Sequence, residues 1–76
     1  MKYYVRKHIS LEQAIKELRN AYVPGYGYDP DETYYVSFKD GTVIATNEVE
    51  RKINTKNIIG IEFYGTDAQF IAGRIN

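Results

Sequence analysis

TYYVSFKDGTVIA, residues 33 to 45, decides how this chain folds. Thr, Tyr, Val and Phe suit a pleated, half-buried surface, and the segment alternates with period two. Tyr34, Val36 and Phe38 fall on one face; Tyr35, Ser37 and Lys39 fall on the other. Asp40-Gly41 follows, a dipeptide that suits a two-residue type I′ loop because both central residues there need positive φ. Such a loop sets Lys39 opposite Thr42, Phe38 opposite Val43 and Val36 opposite Ala45. The apolar faces then coincide, and the agreement of turn chemistry with side-chain alternation predicts a β-hairpin.

Upstream lies a helix. Ser10 is a good N-cap, and Gln13 three residues on completes a capping box. Ile9 is placed to staple onto Ala14. Leu11, Ala14, Ile15, Leu18 and Tyr22 recur at offsets of three and four, which draws one apolar stripe. Glu12 and Lys16 form a favourable i, i+4 pair. Glu12, Lys16, Arg19 and Asn20 face solvent, and Pro24-Gly25 stops the helix, giving an expected span of 11 to 22. KYYVRKH at 2 to 8 reads as a strand. IIGIEFY at 58 to 64 reads as another, with Ile59, Ile61 and Phe63 inward and Gly60 marking a bulge. GTDA at 65 to 68 is a turn, and 69 to 75 supplies a final strand. Residues 47 to 57, NEVERKINTKN, fit a helical turn or a bent strand equally.

The order β-α-β-β-(short element)-β-β predicts an α+β fold: a small antiparallel sheet of about four to five strands with one helix on one face. The whole chain, 1–76, is expected to form one domain. A domain of this size buries a low fraction of its surface, so self-association into a homodimer is a further expectation. The sheet face away from the helix is expected to carry Tyr4, Tyr35, Ile44, Ile58 and Tyr64. That face is too apolar for plain surface.

The chain has no cysteine, so it has no disulfide, thiolate metal site or thiol nucleophile. Ten basic side chains balance ten acidic ones, whereas a dedicated nucleic-acid binder carries a basic excess. The opening MKYYVRKHIS lacks the apolar run of a signal peptide, and no stretch approaches a membrane span. A cytoplasmic protein is the simplest expectation. His8 is the one histidine, and Ser10 and Ser37 are explained by capping and strand placement, so no catalytic triad or zinc site is predicted. Gly25-Tyr26-Gly27 lacks the spacing of a phosphate loop. Asp29-Pro30-Asp31-Glu32 breaks the calcium-loop pattern at Pro30 and reads as turn chemistry. No enzyme, metal or cofactor is expected.

AYVPGYGYDPDETYY, residues 21 to 35, holds five of the eight tyrosines. Tyr22 belongs to the helix stripe and Tyr34 to the strand's core face. Tyr26 and Tyr28 stand in a connection longer than the usual four to six residues. Tyrosine on glycine-rich support is the composition of binding loops, and rings in such a segment also serve as lids on a small core. The leading expectation is a non-enzymatic protein-interaction module that binds a basic protein surface through Tyr26, Tyr28, Asp29, Asp31 and Glu32. The alternative is single-stranded nucleic-acid binding, with Tyr4, Arg6, Tyr35 and Lys39 stacking on bases and Lys2 and Lys7 meeting phosphates. A third reading is an oligomeric small-ligand-binding or sequestering protein. No family signature is legible. Compact, cysteine-free domains without catalytic chemistry are typical products of bacteriophages and mobile elements. Those products include inhibitors of host enzymes and anti-CRISPR proteins, and this class sets the expected biological context.

Overall fold

The computed structural model describes residues 10–64. The expected strands at 2–8 and 69–75, and the turn at 65–68, lie outside the described residues, as do Lys2, Tyr4, Arg6 and Lys7. Among the described residues are helix α1 (Leu11–Ala21) and strands β1 (Thr33–Phe38), β2 (Val43–Ala45) and β3 (Ile58–Tyr64). The strands form an antiparallel sheet in the order β2-β1-β3, with β1 central. The α+β class holds, with three strands seen where four to five were expected.

The helix forms as its sequence dictates. Ser10 is extended, and its Oγ accepts the N–H of Gln13 at 3.1 Å. Ala14 and Leu18 are fully buried, with Leu11, Ile15 and Tyr22 at the margin of the core. The helix ends at Ala21 because Tyr22 turns extended, and a Pro-Gly turn follows. Gly25 has φ +85°, and Tyr26 N–H donates to Val23 O at 2.9 Å. Proline then glycine at the two central positions is the type II signature.

The hairpin forms in a register one residue away from the expected one. Val36 faces Ile44, Ser37 faces Val43 and Tyr35 faces Ala45. Only Gly41 of the loop dipeptide has positive φ, so the loop is not type I′. It holds three residues, Lys39 to Gly41, closed by Phe38 N–H to Thr42 O at 2.9 Å and Gly41 N–H to Phe38 O at 3.0 Å. This is the turn-plus-bulge loop that needs one left-handed residue at its end. Asp40 instead caps the turn: its Oδ1 accepts the Thr42 N–H at 2.9 Å, and bonding to Thr42 holds its carboxyl below the usual range.

The shift moves Ile44 inward, beside Val36, where it packs against the core rather than on the far face. A second irregularity has the same effect on β3. Ser37 faces Gly60 but Phe38 faces Ile58, so one extra residue sits in β3 at the expected bulge. Ile58 is thereby buried and Ile59 turned outward, the reverse of the alternation read from the sequence. Tyr35 and Tyr64 do occupy the far face.

The core joins Ala14 and Leu18 of α1 to Tyr34, Val36, Ile58, Ile61 and Phe63 of the sheet. Burying each large aliphatic side chain contributes about 1.5–3 kcal/mol. Tyr34 and its cross-strand neighbour Phe63 meet edge to face at 5.1 Å. Residues 47–57 are neither the helical turn nor the bent strand expected: a short 3₁₀ turn, Thr46–Glu48, leads into irregular chain. Buried Thr46 satisfies itself by accepting the Tyr34 N–H on its Oγ1 at 3.0 Å.

Gly41→Ala should lower stability by about 1–2 kcal/mol in urea titration. A Cβ there meets nothing within 4 Å, so the cost is the left-handed backbone alone.

Candidate protein-interaction surface

The connection from α1 to β1 is built rather than loose. After the Pro-Gly turn, Val23 and Gly27 form a two-way backbone bridge, Val23 N–H to Gly27 O at 3.0 Å and Gly27 N–H to Val23 O at 2.7 Å. Gly27 takes φ +94° and closes this small ring. Asp29 then folds the chain toward β1, its Oδ1 accepting the Asp31 N–H at 2.9 Å and its carbonyl the Glu32 N–H at 3.3 Å.

The two tyrosines of this segment take opposite positions. Tyr28 is 6% exposed, stacks edge to face on Tyr22 at 5.1 Å, and accepts the buried Ile53 N–H on its hydroxyl at 3.0 Å. It is a core lid that pins the segment to residues 49–57. Tyr26 is 67% exposed, at the corner of the Val23–Gly27 ring. Asp29 and Asp31 are exposed beside it in sequence, and Glu32 is half-buried. Glu32 lines a hollow with Glu17, Asn20, Asp29 and Tyr34. Burial first, then the charges of Glu17 and Glu32, push the Tyr34 phenol well above its usual range. Burial likewise raises Tyr28, partly offset by its bond to Ile53.

Of the residues considered for nucleic-acid stacking, Tyr35 lies on the sheet face away from α1, edge to face with Tyr64 at 5.1 Å. The hollow there, about 660 Å³, has Asp31 and Glu62 as its charged lining. Lys39 is in the hairpin loop at the other end of β1, its N–H donating to Asn57 O at 3.0 Å. The structure therefore does not bring Lys39 to Tyr35.

Sequence reasoning missed a basic groove. Arg51, Lys52 and Lys56 stand with Asp40 around a space of about 620 Å³ floored by Phe38, Ile44, Val49 and Ile53. The signal was the Glu50-Arg51-Lys52 run, in the segment without a readable period. Among the described residues no group of His, Cys, Asp and Glu is placed to hold a metal ion, and no helix is long and apolar enough to cross a membrane. Comparison with protein-family models, curated proteins and solved structures found no match to this chain.

Tyr28→Phe should cost about 1–3 kcal/mol in urea titration, because the Ile53 N–H stays buried without an acceptor. Tyr26→Ala should stay within about 0.5 kcal/mol of the parent chain.

Stability should also fall above pH about 10. An unfolded tyrosine ionises near there while Tyr28 and Tyr34, raised in the fold, stay neutral, so the unfolded state binds fewer protons. Each such group contributes a slope of about −1.4 kcal/mol per pH unit. Urea midpoints measured from pH 8 upward, with Tyr34→Phe alongside, check this; the variant should show the shallower fall.

Proposed function

We propose that this chain is a non-enzymatic interaction module that occludes or adapts a protein partner through the Tyr26 corner, with Asp29, Asp31 and Glu32 as its acidic flank. One observation carries the reading: a large aromatic ring stands in solvent on a segment held by its own backbone bridge and by the Tyr28 anchor. A ring presented that way has little freedom left to lose on binding, which is how rigid tyrosines contribute affinity. The neighbouring carboxylates favour a basic partner surface and steer its approach. Tyr28 serves this site as the post on which the corner stands. The biological setting we attach is that of a phage or mobile-element inhibitor of a host protein or defence system, anti-CRISPR proteins included. Its support is the chain's size and composition.

Tagged chain in nuclease-treated bacterial lysate should retain a protein that Tyr26→Ala, with an unchanged circular dichroism spectrum, fails to retain. Equal capture by both forms, or capture that vanishes with nuclease, counts against the reading.

A further inference from the structure

We infer that the binding surface continues from the Tyr26 corner across the outer face of the sheet, and that this track takes an extended, arginine-bearing segment of the partner. The inference rests on the interaction reading above and names the partner's chemistry. The hollow beside Tyr26, about 300 Å³, is lined by Glu50 and by Pro30 and Asn47. Pro30 and Asn47 also line the larger hollow over Thr33, Tyr35, Ser37, Val43, Glu62 and Tyr64. The two spaces therefore meet at those residues and form one track.

Its chemistry is uniform. The charged residues that line it are Glu50, Asp31 and Glu62, all acidic. Arg51, Lys52 and Lys56 line the separate groove at the hairpin end instead. Tyr35 and Tyr64 stand at 89° to each other, so the pair offers a ring face and a ring edge. Tyr64 donates its hydroxyl to Glu62 Oε2 at 3.0 Å, which fixes a carboxylate at the rim of that aromatic pair. A guanidinium suits this combination better than an ammonium, because it is planar, stacks on aromatic faces and bonds carboxylates through parallel N–H groups. At roughly 3.3 Å per residue, the stretch of β1 from Thr33 to Ser37 matches about four extended residues.

The probe is a fluorescent alternating Arg-Gly peptide at physiological ionic strength, with its Glu-Gly counterpart as control. Anisotropy should show binding of the first only, and Tyr35→Ala and Glu62→Gln should each weaken it roughly threefold or more. On the parent chain, peptide-induced NMR shifts should centre on Tyr35 and Tyr64. No binding, or shifts confined elsewhere, overturns the inference. Weakening by Tyr26→Ala alone overturns the sheet-face track but leaves the corner standing; weakening by the two sheet variants alone does the reverse. Indifference to all three sinks both. Concentration-dependent self-association abolished by Lys52→Glu would make a second copy's basic groove the occupant and also overturn the inference.

Discussion

The hydroxyl of Tyr28 reaches the backbone N–H of Ile53 across twenty-five residues of chain. Each partner lies in a segment without regular structure, and each segment lacks a means of holding itself down. A buried N–H without an acceptor is costly, so the bond makes the position of either segment conditional on the other. Ile53 then enters the core beside Ile58, and Val49 packs at its margin. Arg19 adds a second tie from the helix, donating to Thr55 Oγ1 at 3.2 and 2.8 Å. The tie is exposed and adds less than the buried one. Helix, corner and irregular chain thus become one body around a sheet whose described part is only three strands wide.

That body sorts its charge. The turn at Asp29–Glu32 enters β1 at the end where β3 leaves at Tyr64, since Thr33 pairs with Tyr64. The hairpin loop and the Lys52–Asn57 chain gather at the opposite end, where Lys39 bonds to Asn57. Acidic and basic residues therefore concentrate at different ends of one sheet while the net charge of the sequence is zero. Bulk neutrality hides a field that can still orient an approaching charged surface.

How much of this was legible follows physical lines. The helix was, because cap, apolar stripe and stop signal agree, and its observed end differs from the expected one by a residue. The strands at 33 and 58 were, because alternation with aromatic and β-branched residues is a local property. The register was not: Asp-Gly fits two loop types, and the choice depended on whether Ile44 or Ala45 would face Val36. Burial favours the larger side chain on the core side, which periodicity alone does not decide. Ile58 and Ile59 exchanged faces for a similar reason, since a bulge reverses every residue beyond it. At the candidate surface, composition singled out the tyrosine pair, but only tertiary contact separated Tyr28 the anchor from Tyr26 the presented ring. The acidic partner of the outer face, Glu62, belongs to another strand and carried no local signal. The segment from 47 to 57 was unreadable because its shape is imposed from outside, by Tyr28, Thr46 and Lys39, rather than by its own period.

The brevity of β2 bears on how the chain behaves in a crowded solution. It pairs over three residues and then breaks into the Thr46–Glu48 turn. A strand at the margin of a sheet normally offers a ladder of donors and acceptors to any passing chain. Here that ladder is too short to template another strand, even though Val43 stands exposed on it. On this side the sheet resists growth into fibrils by having almost no border to extend.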